Sequence, residues 1–165
     1  VFTGHFHSQD ITRATFEEPG HFLFDIETGS LVTYPCPYRV ITVSNGYTAK
    51  IESHFIRSTP SHPDFYQHAQ RFCYDKSLLL VNDAMKKFRM SPEDIARVNS
   101  KIADALMSHI EGDETAPESP ATSEGMGFWG KIIFSMRKDL VDAWHKDLQP
   151  ADNQVTLDLK TGNTI

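Results

Sequence analysis

Cysteine is scarce in this sequence, which has only Cys36 and Cys73 among its 165 residues. Two cysteines exclude a scaffold held together by several disulfides, and neither has a second cysteine at metal-binding spacing. The sequence also lacks an apolar run long enough to span a membrane, and it lacks an N-terminal segment with the charged and apolar parts of a signal peptide. These absences leave the cellular compartment open.

Basic residues are in the minority. Sixteen Lys and Arg residues stand against twenty-two Asp and Glu residues, and the formal net charge of −6 argues mildly against a nucleic-acid backbone as partner. The sequence contains no P-loop, no dinucleotide-binding fingerprint and no internal repeat. The composition is typical of a globular domain, and a chain of this length buries about 70% of its extended surface.

The strongest functional pattern lies in the first ten residues. Residues 1–3 favour a β-strand, Gly4 permits a sharp turn, and His5 and His7 follow at positions i and i+2. In extended backbone this spacing places both imidazoles on one face and turns Phe6 into the packing on the other. Neutral imidazole is the commonest protein metal ligand, so the pattern predicts a metal site to which both histidines contribute. Two histidines alone do not complete a coordination sphere.

A Gly-His-x-His sequence at the end of an apolar strand resembles the last metal motif of the calcineurin-like metallophosphoesterases. The segments 10–12, 24–32 and 34–40 resemble the strands that follow this motif in bacterial members, so the resemblance covers about residues 1–56. It implies a phosphoester small-molecule substrate and two divalent metal ions, Mn, Fe or Zn, whose bridging hydroxide attacks the phosphoester. His5 would bind the second metal and His7 the first.

The family's other metal motifs precede Gly-His-x-His, and this sequence begins where they end. Val1 is not an initiator Met and lies inside a strand pattern. The resemblance therefore predicts the C-terminal part of a longer phosphoesterase of the bacterial cytoplasm or periplasm, inactive as this fragment. Residues 112–114, Gly-Asp-Glu, faintly echo an earlier family motif, but they lack its second Asp and lie on the wrong side of Gly-His-x-His. We do not interpret them as ligands.

Asp10 and Arg39 are further candidates for the site. Asp10, three residues after His7, could orient an imidazole or contact the substrate, although an ordinary cap in a loop is favoured. Arg39 follows two prolines on a strand and could bind a phosphate with both guanidinium nitrogens, although a solvated strand charge is favoured.

The predicted fold class is α+β, with residues 1–60 forming a β-meander. Residues 22–27 alternate with period two, residues 31–34 resume the strand, and Asn45-Gly46 joins strands 38–44 and 47–56 through a turn of type I′. Residues 8–20 are predicted to form a loop that closes with a turn at Pro19-Gly20. The resemblance implies that these strands complete a metallophosphoesterase β-sandwich.

Residues 61–165 are predicted to form an appended helical region with three helices. The helices cover about residues 65–88, residues 92–111 after an N-cap at Ser91, and residues 129–144. The first helix is apolar nearly all round at residues 78–81, which predicts deep burial. Residues 111–125 read as a mobile acidic loop, and residues 155–159 read as a short strand.

Two alternatives to a self-contained site stay open. In one, the histidines are ordinary strand residues and the chain is a non-catalytic interaction module that uses its helical region, with the acidic loop and a Trp-Met stripe as the contact surface. In the other, a second chain supplies the missing metal ligands. The sequence does not determine the oligomeric state.

Overall fold

Alternating apolar residues and helical apolar spacing divide the chain into strands at its two ends and helices in between. The computed structural model describes residues 1–17 and 20–165, and within them the α+β class is confirmed by two three-stranded sheets and four helices. The strands are β1 Phe2–Thr3, β2 Asp10–Thr15, β3 Phe22–Glu27, β4 Pro37–Val43, β5 Thr48–Phe55 and β6 Gln154–Asp158. The helices are α1 Phe65–Lys87, α2 Pro92–Glu111, α3 Phe128–Ser135 and α4 Lys138–Ala143.

The first sheet has the order β1-β3-β2, with β1 parallel and β2 antiparallel to β3. Phe24 and Ile26 of β3 are buried, as the period-two pattern predicts. The predicted strand at residues 31–34 is wrong: this segment forms turns, in which Thr33 N donates to Ser30 O and Cys36 N donates to Thr33 O. The predicted loop at residues 8–20 is wrong over residues 10–15, which form β2 and pair with β3. Pro19 of the predicted turn lies outside the described residues.

The second sheet has the order β4-β5-β6, and the predicted hairpin of β4 and β5 is confirmed. The predicted turn type is wrong. A type I′ turn needs positive φ at Asn45 and Gly46, but the left-handed residue here is Tyr47, with φ 62°. Tyr47 N donates to Ser44 O, and Ser44 N donates to Thr48 O. The loop therefore closes one residue later than a type I′ turn would. The strands thus form hairpins in two sheets instead of one meander.

The two sheets share one apolar core. Ile11, Phe24 and Ile26 from the first sheet pack in a cluster with Ala49, Ile51 and Leu157 from the second. Leu157 belongs to β6, which pairs antiparallel with β5. The C-terminal strand therefore returns to the sheet of the N-terminal third, and the helices form an insertion between paired strands.

α1 and α2 begin and end close to the predicted positions. Ser91 Oγ accepts a hydrogen bond of 3.1 Å from Asp94 N, which is the predicted N-cap. The predicted deep burial of α1 is wrong, since Leu79 and Leu80 are 55% and 63% exposed and Val81 alone of that run is buried. α2 packs along one side of α1, and no described element covers the side that bears Leu79.

The predicted third helix is interrupted, so the helical region has four helices among the described residues and the three-helix prediction is wrong. The chain leaves helical geometry at Arg137, φ −120°, whose guanidinium carbon lies 5.0 Å from the centre of the Phe88 ring. Periodicity does not reveal this break, because Phe134 and Val141 are buried on either side of it. None of the described helices combines the length and the hydropathy needed to cross a membrane.

The acidic segment after α2 has no regular secondary structure, but it packs against the helical core. No helix or strand forms between Gly112 and Gly127, yet Ala121 and Met126 are buried within the helical core. The mobility of this loop stays a prediction.

Candidate functional site

The Gly-His-x-His segment is a short loop held against β3. β1 ends at Thr3. A Cβ at Gly4 would lie 3.3 Å from Thr28 O, so the backbone at Gly4 passes close to the backbone just after β3. Phe6 N donates to Glu27 Oε1 at 2.6 Å. His7 follows with φ 62°, a left-handed conformation that is uncommon for residues other than glycine. The backbone between the two histidines is therefore fixed by contacts with the end of β3.

The predicted strand geometry of the two histidines is wrong. β1 is only two residues long, and the chain bends at His5 and Phe6. Phe6 is 78% exposed and does not pack into a core. The reason is the left-handed His7, because a residue with positive φ ends the extended backbone that the i, i+2 argument requires.

Both imidazoles are exposed, and neither forms a hydrogen bond or an ion pair with any described residue. The edge of the Phe6 ring contacts His5, with ring centroids 5.1 Å apart. Among residues 1–17 and 20–165, no third His, Cys, Asp or Glu converges on them at metal-ligand distance. Two nitrogen ligands fit part of one or two coordination spheres and do not complete a dinuclear centre.

A cavity of about 770 Å³ opens beside His7. The loop containing Phe6, His7 and Ser8 lines one side, and residues of α1, α2 and α4 line the others. His109, near the C-terminus of α2, also lines this cavity, which we call the His7 cavity. The helical region is therefore a wall of the space next to the histidine loop.

A second constellation lies where α2 ends and β6 begins. Carboxylate oxygens of Glu114, Asp147 and Asp152 all lie within 4.8 Å of one another. With Asp113, we call these residues the acidic junction. Oxygen ligands of this kind suit Mg²⁺ or Ca²⁺, but exposed acids commonly group without binding an ion, so the grouping identifies no metal site.

Asp152 is the centre of the acidic junction. It is 2% exposed; its Oδ1 accepts from Ile11 N at 2.7 Å and its Oδ2 accepts from Asp113 N at 2.9 Å. In return, Asp152 N donates to Asp113 Oδ1 at 2.7 Å. These bonds join β2, the segment after α2 and the approach to β6. The first role of Asp152 is thus to connect the sheets with the helices.

The pKa of Asp152 is raised to about 7: burial is the largest cause and the charges of Asp10 and Glu114 add to it, whereas the two backbone N–H donors lower it. Burial also raises the pKa of Asp10 and of Asp147, and neighbouring acids add to each shift. The protein therefore holds several carboxyl groups in a setting that disfavours their ionised forms.

His109 pairs with Glu114 of the acidic junction. Its Nδ1 lies 2.8 Å from Glu114 Oε1, and its ring stacks on Trp144 with centroids 6.4 Å apart. The hydrogen bond to Glu114 raises the pKa of His109, and the charges of Asp10 and Asp152 raise it further, whereas burial opposes these effects. His109 connects the acidic junction to the His7 cavity, which it also lines.

Asp10 and Arg39 both differ from the favoured sequence interpretation. Asp10 starts β2 and is partly buried near His109, so it is not a loop cap. Arg39 is not a solvated charge, because Nε donates to Ser53 Oγ at 3.2 Å and Nη2 donates to Asp152 O at 2.9 Å. Its Nη1 is buried and has no hydrogen-bond partner among the described residues. Contact of either residue with a substrate stays a prediction.

Sequence reasoning missed the acidic junction. Asp113 and Glu114 show only a faint resemblance to a family motif, and Asp147 and Asp152 give no local signal. Residues 113 and 152 meet because β6 returns to β5 and brings the end of the chain beside the end of α2. Pairing over that distance in sequence is a tertiary property, which no local spacing reports.

The raised pKa values of Asp152 and His109 predict that stability falls as the pH rises from about 4 to 8. Between its ordinary pKa of 3.8 and its native pKa of about 7, Asp152 holds a proton in the native state that the unfolded chain releases. Stability from the raised pKa of His109 is present below 6.5 and is lost as the pH passes its native pKa. We expect the free energy of unfolding to fall by on the order of 2 kcal/mol, measured by urea denaturation.

An Asp152→Asn variant should show a flatter pH dependence over the same interval, whatever its absolute stability. Asp139→Asn, which changes an exposed carboxylate on α4, is the matched control and should keep the slope of the parent. A free energy of unfolding that rises with pH between 4 and 7 would contradict this prediction.

Comparison with known proteins adds no relative: no protein-family model matches this chain, and no curated protein matches it.

Proposed function

We propose that this chain is the C-terminal part of a dinuclear-metal-dependent phosphoesterase, with His5 and His7 as two of its metal ligands. The observation that carries the proposal is the histidine loop: two exposed imidazoles without partners among the described residues, on a backbone fixed by Glu27, at the edge of a large cavity. A loop that only connected two strands would need neither feature.

The conformation of His7 supports a functional role for the loop. A non-glycine residue with positive φ costs on the order of 1 kcal/mol, and such residues cluster at sites where the strain serves function. Gly29 favours the same arrangement, because a Cβ there would lie 3.1 Å from His7 O. Gly29 N also donates to the buried side chain of Gln9 at 2.8 Å, which fixes the chain just after the histidines.

Under this proposal, the remaining ligands would come from polypeptide beyond the described residues. β1 pairs only with β3 within the described part of the chain, so its other edge is open to a further strand. A strand added there would extend the first sheet and continue a sandwich of the metallophosphoesterase type, because the two sheets already share a core. The same strand would bring its own loop beside His5 and His7.

Each part of this chain would then have a separate task. The metals, once bound, supply water activation and neutralisation of phosphoryl charge. His5 and His7 would hold them through neutral ring nitrogens, and the left-handed loop would fix the direction of both rings. The helices would form the wall of the substrate cleft, since α1, α2 and α4 line the His7 cavity. Which phosphoester is cleaved depends on that wall.

The test is an assay of phosphodiesterase and phosphomonoesterase activity with added Mn²⁺, on the protein encoded by the complete gene. We expect the double variant His5→Ala, His7→Ala to lose at least about 100-fold in activity and to lose bound metal by elemental analysis. The magnitude follows because even residues that only support metal ligands commonly contribute 10- to 100-fold.

The matched control is His62→Ala, His68→Ala, which removes two exposed histidines that lie outside the His7 cavity. It should keep both activity and metal. Activity and metal content that are unchanged in the His5, His7 variant would overturn the proposal. So would a complete gene product with neither metal nor hydrolytic activity.

A second candidate is a non-catalytic interaction module, and α3 favours it. Phe128, Trp129 and Met136 are all exposed on or beside this short helix, with Trp129 at 69%. Exposed apolar surface of this kind marks interaction sites more often than plain solvent contact. An inactive, metal-free gene product in the assay above would favour this module over the phosphoesterase.

A further inference from the structure

The His7 cavity shares part of its wall with a second cavity, which we call the inner cavity. The inner cavity has a volume of about 280 Å³ and lies between α1, α2, α3 and α4. Leu80, Leu106, Leu140 and Trp144 line both cavities. The two cavities are therefore neighbours with a common apolar wall.

The two cavities differ in the chemistry of their walls. The inner cavity is lined by apolar side chains with the single exception of Arg137, whose guanidinium lies over the Phe88 ring. The His7 cavity has polar groups at one end, including His7, His109 and Lys76, and apolar groups toward the inner cavity. This gradient fits a ligand with an anionic head and an apolar tail.

We propose that the substrate is a phosphoester of a linear alkyl or acyl chain, with the phosphate beside His7 and the chain directed past Leu80 and Trp144 into the inner cavity. This inference rests on the proposed function and names the substrate class of the same site. A linear chain fits because the two cavities share the apolar wall of Leu80, Leu106, Leu140 and Trp144, whereas a short polar alcohol would leave the inner cavity without contacts.

The orientation follows from charge. Lys76 is exposed on α1 and lines the His7 cavity together with His7 and His109, and its ammonium group lies 5.3 Å from the centre of the Phe72 ring. The guanidinium of Arg137 is the only cation at the inner cavity, and the Phe88 ring already covers one of its faces. A phosphate would therefore find more hydrogen-bond donors and cations at the His7 end.

The chain's two tryptophans give a direct readout. Trp144 lines both cavities, and Trp129 is exposed and lines neither of them. In a Trp129→Phe background, Trp144 fluorescence reports on ligand entry into the shared wall. The measurement uses the 165-residue chain in the presence of EDTA, so it does not depend on metal or hydrolysis.

The experiment titrates alkyl phosphates of four, six, eight and ten carbons, each below its micelle concentration. We expect the Kd to fall by up to about fourfold for each added methylene, since each buried methylene contributes about 0.8 kcal/mol. Decyltrimethylammonium, with the same chain and the opposite head charge, should bind at least tenfold more weakly than decyl phosphate. A Kd that is independent of chain length, or equal binding of the cationic head, would overturn the inference.

Substitutions in the two cavities test where the alkyl chain and the phosphate of the ligand bind. Ala84→Phe narrows the inner cavity. It should weaken the binding of decyl phosphate at least tenfold and leave the binding of butyl phosphate unchanged. Ala96→Phe, at an exposed position of α2, is the matched control. Lys76→Gln should weaken all chain lengths by about two- to fivefold, as expected for an exposed ionic contact. An effect of Arg137→Gln in place of Lys76→Gln would reverse the orientation and overturn the assignment.

The two proposals fail in different ways. If the complete gene product shows no metal-dependent hydrolysis but the fluorescence titration shows chain-length dependence, the phosphoesterase proposal fails and the alkyl site stands as a binding site. If hydrolysis of small phosphoesters depends on His5 and His7 while the titration shows no chain-length dependence, the substrate class proposed here is wrong.

Discussion

Replacing Gly112 with alanine is expected to destabilise the protein by about 4 kcal/mol, seen as a lower urea midpoint and a lower melting temperature. Gly112 ends α2 with φ 74°, a conformation that side chains rarely adopt. A Cβ there would lie 2.5 Å from Gln9 O and 2.9 Å from Asp152 Cβ. Both neighbours are buried and fixed by hydrogen bonds, so neither is free to move aside.

Two other glycines separate the causes of this effect. Gly20 also has positive φ, 84°, but a Cβ there meets nothing within 4 Å, so Gly20→Ala should cost only on the order of 1 kcal/mol. Gly46 has neither positive φ nor a close neighbour beyond Ser44 Oγ at 3.5 Å, and Gly46→Ala should be nearly neutral. Equal stabilities of the Gly112 and Gly20 variants would show that the close approach at Gly112 is not a constraint.

Replacing Asp152 with alanine is expected to destabilise the protein by roughly 2–5 kcal/mol at pH 5. The change leaves the N–H groups of Ile11 and Asp113 without their acceptors in a buried setting, and each such loss costs about 1–3 kcal/mol. The loss should be smaller at pH 8, because the ionised carboxylate is then disfavoured by burial and by Asp10 and Glu114. Urea denaturation at both pH values measures the difference.

Asp158 provides a matched control for Asp152. Its Oδ1 also accepts two backbone hydrogen bonds, from Lys160 N at 2.8 Å and from Thr161 N at 3.2 Å, but both bonds are exposed. Water can replace the carboxylate there, so Asp158→Ala should cost about 1 kcal/mol. An Asp152 variant that is as stable as the Asp158 variant would mean that the acidic junction does not hold the sheets and helices together.

Local patterns accounted for most of the elements. The sequence predicts the strand at residues 22–27, the hairpin around Asn45-Gly46 and the capped start of α2 at Ser91. Each of these depends on residues within a few positions of one another. The errors came where contacts distant in sequence intervene. The exposure of Leu79, for example, depends on which side of α1 other elements cover.

The candidate site was likewise predictable from the sequence only in part. Residue types and their spacing were sufficient to single out His5 and His7, because a metal motif is a local feature of sequence. Their loop conformation was not predictable, since it depends on the contact of Phe6 N with Glu27 and on the close approach of Gly29 to His7 O. The cavity beside them was equally hidden, because three helices and the histidine loop each contribute part of its wall.

By itself the sequence determined the α+β class, the strands β3, β4, β5 and β6, the N-cap of α2 and the pair of candidate metal ligands. These features follow from side-chain chemistry acting over one or two turns of chain. The tertiary structure alone decided that residues 10–15 form β2, that β6 returns to β5, that Asp152 reaches Ile11 and Asp113, and that α1, α2 and α4 line a cavity beside His7. Burial and pairing across more than a hundred residues set these features, and the free energy of such contacts depends on the whole fold.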